Sequence, residues 1–175
     1  MKPDTALLLK HNPFFYPGFS KDVHYETELV IKIDRNGRHI EEKFAHKYYS
    51  EIGIGIDFTA RDLQAEAKKK GLPWEIAKAF DQSAPLGRFL PKEQFTSMDN
   101  ITFSLKINRE LRQSGNSKDM IFTFDQIIAY VSQFITLRTG DMIFTGTPKG
   151  VGPTKIDDHF EAFIEKEKLL EFNVK

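Results

Sequence analysis

The chain has 175 residues, of which 40% are hydrophobic and 29% charged; this is ordinary for a soluble globular protein, and the length suits one domain, residues 1–175. The charges of its 25 basic and 25 acidic residues cancel, and the sequence has no clustered basic stripe, so nothing supports nucleic-acid binding. The absence of cysteine excludes a disulfide scaffold, a thiolate zinc site and a cysteine nucleophile, and no apolar stretch is long enough to cross a bilayer, so no membrane partner is expected.

The first third of the chain predicts a loop, a strand and a short helix. The opening segment, up to about residue 21, is rich in proline and aromatic residues and predicts an extended loop, because proline and the residue before it resist helix formation. Residues 24–33 predict a strand from their apolar alternation, and residues 34–37 predict a turn. Residues 41–50 predict a short helix.

The middle of the chain predicts a strand, a helix and a second strand. Residues 52–58 predict a strand whose glycines, Gly53 and Gly55, indicate the close approach of another backbone. A helix then starts with Thr59 as its N-cap and Asp62 three residues later, and it ends near Gly71 after the basic run of residues 68–70. Residues 101–107 alternate apolar and polar side chains and predict another strand.

The clearest predicted helix spans residues 123–137. Thr123 and Gln126 form the sequence pattern of a capping box, and Gly140 follows as the stop. The apolar face of this helix consists of Phe124, Ile127, Ile128, Val131, Phe134 and Ile135. A strand over residues 141–145, a glycine-rich loop and a final pair of strands complete the chain. Strands outnumber helices and are linked irregularly, which predicts an α+β or mainly β fold rather than a doubly wound βαβ fold.

Three acidic residues are candidate metal ligands. Glu26 and Glu28 lie two residues apart in a predicted strand, so their carboxylates point to one face, together with His24. Like charges that close repel unless a proton or a cation intervenes, and a hard divalent cation prefers oxygen ligands. Asp57 ends the next strand, a position that often lines a site. A solvent-facing polar row for the two glutamates, and a helix-start role for Asp57, are the common alternatives.

Further polar side chains are candidates for substrate contacts. Arg61 and Gln64 share one helical face, and an arginine can hold a carboxylate in two hydrogen bonds. Lys78 follows an aromatic and apolar stretch, where it is either partly buried near anions or keeps its ammonium group in water. The loop from Thr145 to Gly152 can expose N–H groups to anions, although it lacks the order of a phosphate-binding loop. No serine-hydrolase pattern is present.

In their order and spacing, these stretches resemble the fumarylacetoacetate hydrolase family, especially its small acylpyruvase and oxaloacetate decarboxylase members. The matching stretches are KPDT (2–5), HYETEL (24–29), GIDFTARDLQ (55–64), KGLPW (70–74), KAFD (78–81), NRELRQ (108–113), GD (140–141) and TGTPKGVGP (145–153). They cover almost the whole chain. The resemblance implies a mixed β-sandwich roll with a few short helices, as in the C-terminal domain of that family. Arg109 stands where relatives often have glycine, and a changed turn is expected there.

By this resemblance, Glu26, Glu28 and Asp57 are expected to bind Mg²⁺, with Mn²⁺ or Ca²⁺ as alternatives and without an organic cofactor. The residues expected to act in catalysis are Lys78, Arg61 and Gln64, and these three, with Thr147 and Gly146, are expected to bind substrate. The family also implies a homodimer. With no apolar signal region after Met1, a cytoplasmic location is the default expectation.

The implied activity is that of a metal-dependent hydrolase or decarboxylase of small 2-oxo acids, such as fumarylpyruvate, acetylpyruvate or oxaloacetate, acting through a metal-bound enolate. One alternative is an isomerase of the 2-hydroxyhepta-2,4-diene-1,7-dioate type or a sugar-acid dehydratase on the same scaffold. Many hydrolytic members carry a water-activating His–Glu pair in a segment upstream of these motifs, and the sequence shows no counterpart. The second alternative is therefore a metal-binding homologue with weak hydrolysis.

Overall fold

The computed structural model of the chain describes residues 1–9 and 12–175, so Lys10 and His11 of the predicted opening loop lie outside the described residues. Over the described ranges the chain forms, besides three short 3-10 helices, twelve strands and four α-helices. These elements are β1 (Leu7–Leu8), β2 (Val23–Tyr25), β3 (Thr27–Ile33), α1 (Glu42–Ala45), β4 (Tyr49–Ile56), β5 (Thr59–Ala60), α2 (Arg61–Lys70), α3 (Glu75–Lys78), β6 (Ala84–Pro91), β7 (Thr102–Ile107), β8 (Glu110–Asn116), α4 (Phe124–Phe134), β9 (Met142–Phe144), β10 (Gly152–Pro153), β11 (His159–Ile164) and β12 (Glu167–Asn173). The predicted α+β, mainly β class is confirmed.

Two curled sheets pack face to face and a small third sheet lies beside them. The first sheet has the order β1-β6-β4-β3-β9, the second β12-β11-β7-β8, and the third β10-β2-β5. Only β1 and β6 pair in parallel among the strands of the described residues. Strands β11 and β12 contact β4 and β6 across the interface between the first two sheets. This arrangement is the mixed β-sandwich roll that the resemblance implied.

Aromatic rings fill much of the core between the sheets. Phe14 stacks on Phe58 with ring centroids 4.1 Å apart, and Phe160 stacks on Phe172 at 4.9 Å. Phe58 also meets the edges of the two rings from β11 and β12. Because each ring buries a large apolar area, this cluster joins the segment before β2, the end of β4 and the C-terminal hairpin into one core.

The central position of β3 explains why its burial departs from the predicted alternation. It pairs with β4 on one edge and β9 on the other, and its side chains are buried on both faces except for Lys32. In β4, the rings of Phe89 and Phe144 would lie 2.7 and 2.6 Å from a Cβ atom at Gly53 and Gly55. The predicted close approach is therefore made mainly by aromatic side chains rather than by another backbone.

Several predicted boundaries are wrong because tertiary pairing overrides local sequence signals. Thr59 does not cap α2; it pairs with His24 in the third sheet, and Ala60 occupies the N-cap position without a side-chain hydrogen bond. The short helix predicted over 41–50 shrinks to α1, because β4 already begins at Tyr49. Strands β6 and β8 were not predicted. The end of α2 was predicted correctly, because Gly71 adopts the left-handed conformation there.

Helix α4 begins as the sequence predicted but ends three residues early. Both hydrogen bonds of the capping box between Thr123 and Gln126 are present. After Phe134 the chain becomes extended, since Leu137 pairs with Gly37. Gly140, with φ 96°, therefore shapes the turn before β9 rather than the helix end. None of the helices within the described ranges is both long and apolar enough to cross a membrane.

Candidate active site

The three candidate metal ligands come together where β2, β3 and β4 meet. Glu26 lies in the one-residue break between β2 and β3, and Glu28 lies in β3 opposite Gly55 of β4. Asp57 directly follows β4, and its N–H group donates to the Glu26 carbonyl at 2.7 Å. The antiparallel register thus brings the end of one strand beside the start of its neighbour. One carboxylate oxygen from each residue lies within 4.8 Å of those from the other two.

Burial makes this group electrostatically costly unless positive charge is nearby. Glu28 is only 5% exposed, and burial, followed by the neighbouring charge of Asp57, raises the pKa of its carboxyl to about 8. The N–H group of Gly146 opposes this shift, because it donates to Glu28 Oε2 at 2.6 Å. Since β3 is a central strand, the alternative of a solvent-facing polar row on an edge strand is wrong for Glu28.

Three cationic side chains surround the carboxylates. Lys78 Nζ lies 2.9 Å from Glu26 Oε2 and 2.7 Å from Asp57 Oδ2, so one ammonium group joins two acidic residues. Arg61 also binds Glu26, and Lys2 Nζ lies 2.9 Å from Asp57 Oδ1. Burial alone would lower the pKa of Lys78, but the adjacent carboxylates outweigh it and raise that pKa; for Lys2 burial prevails and lowers the pKa.

The cluster formed by Glu26, Glu28 and Asp57, here called the carboxylate group, fits a hard divalent cation. Glu26, Glu28 and Asp57 offer only oxygen ligands, which Mg²⁺, Mn²⁺ and Ca²⁺ prefer. Oxygens that share one ion at about 2.1 to 2.4 Å lie within about 4.8 Å of each other, and these three meet that spacing. Burial is the main cause of the raised pKa of Glu28, so a cation bound beside this carboxyl would favour its ionised form. These residues are therefore suited to hold such an ion.

Helix α2 places the next two predicted residues beside the carboxylates. Arg61 Nη1 donates to Gln64 Oε1 at 2.9 Å, so these two side chains form one unit that reaches Glu26. The start of the helix is held by Asp62, which accepts hydrogen bonds from the Ser20 hydroxyl and the Lys21 N–H group. An arginine fixed in this way keeps a defined direction toward the site.

The loop after β9 brings Gly146 to Glu28 and Thr147 to Gln113. Because the Gly146 N–H group already donates to Glu28, its expected contact with substrate stays a prediction, as does that of Thr147. The Thr147 hydroxyl accepts a hydrogen bond from Gln113 Nε2 at 2.9 Å. Gly146 has φ 102°, a left-handed conformation that favours glycine and turns the loop toward β3.

Sequence reasoning missed two polar residues of this site and misplaced a third. Lys2 and Gln113 occurred only as members of matching stretches, because an isolated lysine or glutamine carries no local signal of burial. His24 was expected on the carboxylate face, yet its Nε2 lies 2.9 Å from Asp22 Oδ1 and it does not belong to the carboxylate group. The break at Glu26 interrupts the strict alternation on which that expectation depended.

An apolar depression of about 700 Å³ lies next to this polar centre. Its lining includes Met1, Pro3, Phe19, Leu63, Ile76 and Phe80. The Phe80 ring also receives the Lys2 ammonium group, with Nζ 5.9 Å from the ring centroid. Phe80 therefore lines the apolar depression and also contacts a cation of the charged centre.

A second acidic group on β11 and β12 is a weaker candidate. His159, Glu161 and Glu171 also place ligand atoms within 4.8 Å of one another. Lys168 lies 3.0 Å from Glu161 and 2.8 Å from Glu171, so a lysine already offsets part of the negative charge of the two acids, and the group is partly exposed. It resembles an ordinary ion-pair network on a solvated hairpin.

Comparison with known proteins agrees with the fold. The family profile described as fumarylacetoacetate (FAA) hydrolase C-terminal matches residues 1–175. The mitochondrial oxaloacetate tautomerase FAHD1 of Mus musculus is 44% identical over 175 residues, which are 100% of this chain and 79% of the relative. The oxaloacetate tautomerase YcgM of Escherichia coli (strain K12) is 42% identical over 170 residues, 97% of this chain and 78% of the relative.

Among solved structures, fumarylpyruvate hydrolase from Pseudomonas aeruginosa, in complex with Mn²⁺ and pyruvate, superposes with a TM-score of 0.91 at 34% identity. The superposition covers 99% of this chain and 76% of the other. The profile match across the chain and these levels of identity show that the chain belongs to the fumarylacetoacetate hydrolase family.

Proposed function

We propose that this protein is a divalent-metal-dependent enzyme that interconverts the keto and enol forms of oxaloacetate or a similar small 2-oxo acid. The observation that carries the proposal is the buried group of Glu26, Glu28 and Asp57, whose oxygens have the spacing that one hard cation requires. The two relatives named oxaloacetate tautomerases support this choice of reaction. The conversion moves one proton between C3 and the keto oxygen, so no co-reactant is needed.

The charge balance of the site supports an anionic substrate with two carboxylates. When all three carboxylates of the group are ionised, they balance the charge of the three cations Lys2, Arg61 and Lys78. Addition of a divalent cation leaves the centre positive by about two charges, which complements the two carboxylates of oxaloacetate. A neutral substrate would gain nothing from this excess.

The side chains divide the work of binding and charge stabilisation. A divalent cation, when bound, would supply Lewis acidity toward the keto oxygen. Lys78 keeps its proton at Nζ, because two carboxylates hold it there, and it would donate to the oxyanion that develops on that oxygen. Arg61, fixed by Gln64, would bind one substrate carboxylate. Thr147 would donate its hydroxyl proton to the other.

A direct test follows the ultraviolet absorbance of enol-oxaloacetate after dissolution, with Mg²⁺ or Mn²⁺ present. We expect the protein to speed the decay of the enol, a chelator to abolish this effect, and added cation to restore it. Glu28→Gln should lose the effect, whereas Glu66→Gln, an exposed glutamate paired with Lys70, should retain it. Decay at the rate of the protein-free solution at every cation concentration would overturn the proposal.

Hydrolysis of an acylpyruvate is the second candidate. The structural relationship to a fumarylpyruvate hydrolase that holds Mn²⁺ and pyruvate favours it. This reaction consumes water and breaks the bond between C3 and C4 to give pyruvate and a carboxylic acid. Pyruvate formed from acetylpyruvate would support it. Pyruvate and CO₂ formed from oxaloacetate would instead identify decarboxylation, the other activity that the resemblance implied.

The homodimer implied by the family resemblance stays a prediction, as does the cytoplasmic location. Sedimentation equilibrium of the protein, with and without Mg²⁺, would determine the oligomeric state.

A further inference from the structure

Gln113 is a buried polar residue whose position is not explained by packing alone. It lies in β8 and is only 2% exposed. Its Oε1 accepts a hydrogen bond from the Thr27 N–H group at 3.0 Å, while its Nε2 donates to Thr147 Oγ1 at 2.9 Å and to the Pro148 carbonyl at 3.0 Å. One side chain therefore connects the strand of the candidate metal ligands with the loop of the candidate substrate contact.

The orientation of this amide is fixed by its partners. A backbone N–H group can only donate, and a carbonyl oxygen can only accept. Oε1 of Gln113 must therefore face Thr27, and Nε2 must face Pro148. It follows that Nε2 donates to Thr147, whose hydroxyl oxygen is the acceptor and whose own proton remains to be donated to another group.

Two features of the backbone hold Gln113 in place. The pairing of β7 with β8 shifts between Leu105, which lies opposite Gln113, and Lys106, which lies opposite Leu111. Arg112 is thus the extra residue of a bulge, a device that redirects neighbouring side chains. The loop packs closely on this bulge, because a Cβ atom at Gly150 would lie 2.6 Å from the Arg112 carbonyl oxygen.

The hydrogen bonds of Gln113 matter for function because of where Thr27 and Thr147 lie. Thr27 stands between Glu26 and Glu28, so its peptide N–H group belongs to the backbone that carries both acidic side chains. On the other side, Thr147 follows Gly146, whose N–H group binds Glu28. Strand β3 and the loop are therefore joined through Glu28 and through Gln113, in addition to the hydrogen bonds that Thr145 donates to the Leu29 carbonyl.

We propose that Gln113 is a positioning residue that sets the direction of the Thr147 hydroxyl, so that this hydroxyl donates its proton to the carboxylate of a bound 2-oxo acid. The proposal rests on the proposed function, since it assigns a substrate carboxylate to the site. Gln113 does not touch that carboxylate; it acts through Thr147 and leaves the three acidic residues with their own contacts.

The test is a calorimetric titration of the Mg²⁺-loaded protein with oxalate, preceded by a titration of the metal-free protein with Mg²⁺. Gln113→Met removes all three hydrogen bonds at similar volume. We expect it to weaken oxalate binding by about tenfold or more, the usual effect of losing a hydrogen bond to a charged group, and to change Mg²⁺ affinity by less than about threefold. Gln94→Met, at an exposed glutamine, should change neither value.

A double-mutant comparison separates positioning from general support of the fold. Thr147→Val should weaken oxalate binding as Gln113→Met does, and the combination should weaken it no further, because both changes remove one hydroxyl contact. Thr147→Ser should retain binding. Losses that multiply in the double variant, or oxalate and Mg²⁺ affinities that fall together in Gln113→Met, would overturn the proposal.

Gln113→Glu provides a second variant in case the methionine variant fails to fold. Its carboxylate can still accept from Thr27, but it also accepts from the Thr147 hydroxyl and so reverses that hydrogen bond. We expect oxalate affinity to fall while Mg²⁺ affinity holds; unchanged oxalate affinity would overturn the role of Gln113. Wild-type protein that takes up Mg²⁺ but not oxalate would instead contradict the proposed function.

Discussion

The ammonium group of Lys78 lies 2.7 Å from Oδ2 of Asp57, in the middle of the carboxylates that are proposed to bind a divalent cation. The same nitrogen lies 2.9 Å from Glu26 Oε2. A positive charge in this position has two opposite effects. It repels a second cation that approaches the carboxylates, and it stabilises negative charge that develops on a bound substrate.

Replacement of Lys78 by methionine should therefore change cation binding and turnover in opposite directions. We expect Mg²⁺ affinity to rise by about a hundredfold or more, because one close repulsive charge is removed at an effective dielectric constant near that of a partly buried site. Turnover of enol-oxaloacetate should fall by about a hundredfold, in line with the loss of one oxyanion donor. Calorimetry and the enol assay at saturating Mg²⁺ measure the two quantities.

The matched control for this experiment is Lys70→Met. Lys70 is an exposed lysine whose partner is Glu66, one turn away on α2, and exposed pairs of this kind contribute little. Both quantities should stay at their wild-type values in this variant. Lys78→Met with unchanged turnover would show that Lys78 does not stabilise the oxyanion.

The stability of the metal-free protein should depend on pH through Glu28. Burial and the charge of Asp57 raise the pKa of Glu28 from the ordinary 4.5 to about 8, so between these values the folded state holds a proton that the unfolded state has released. The free energy of unfolding therefore decreases as pH rises from about 4.5 to about 8, and it changes no further through this group above that range.

The measurement compares thermal unfolding of wild type and Glu28→Gln in chelator at several pH values. Because glutamine does not titrate, the difference between the two proteins isolates the contribution of Glu28. We expect wild type to lose stability relative to the variant as pH rises through this range. A difference that is constant with pH would mean that Glu28 titrates normally in the folded protein.

The sequence alone could predict the parts of the molecule that depend on near neighbours in the chain. The capping box of Thr123 and Gln126 formed as predicted, because its two hydrogen bonds connect residues three apart. The left-handed end of α2 at Gly71 is equally local. By contrast, Thr59 has the chemistry of an N-cap but pairs with β2, and no pattern near Thr59 announces that strand.

The residues of the candidate site likewise include some that the sequence could predict and others that it could not. The acidic residues could be singled out because Glu26 and Glu28 are close in the chain and Asp57 ends a recognisable strand. Lys2 could not, since its partner Asp57 is far away in sequence and only the fold brings them to 2.9 Å. Strand β6 escaped prediction because Pro85 and Pro91 suggest a loop, whereas pairing with β4 supplies the strand geometry.

The turn between β7 and β8 offers a stabilising substitution. Asn108 and Arg109 both adopt positive φ values, 53° and 69°, which suit asparagine but strain the arginine backbone. Arg109→Gly should therefore increase the free energy of unfolding by about 1 kcal/mol, measured by urea denaturation, with enol turnover unchanged.

Gly71→Ala is a control in the opposite direction. The φ of Gly71 is 65° and nothing lies near its Cβ position, so alanine there should lower the free energy of unfolding through backbone strain alone. Equal stability of Arg109→Gly and wild type would show that the turn relaxes without cost.

The contribution of Asp57 to cation binding can be separated from that of nearby acidic residues. Asp57→Asn keeps the shape and one oxygen of the side chain but removes its charge, while Lys2 and Lys78 remain positive beside it. The carboxylate group then meets an excess of positive charge, so we expect Mg²⁺ affinity to fall by about a hundredfold or more, as removal of one close charge at about 4 Å implies at an intermediate dielectric constant. Asp22→Asn is the matched control. Asp22 directly precedes β2, and its side chain contacts His24 rather than the carboxylate group, so this substitution should leave Mg²⁺ affinity unchanged. Calorimetric titration measures both variants. Equal losses in the two would mean that Mg²⁺ responds to the overall negative charge of this region, and Glu26, Glu28 and Asp57 would then no longer define a site.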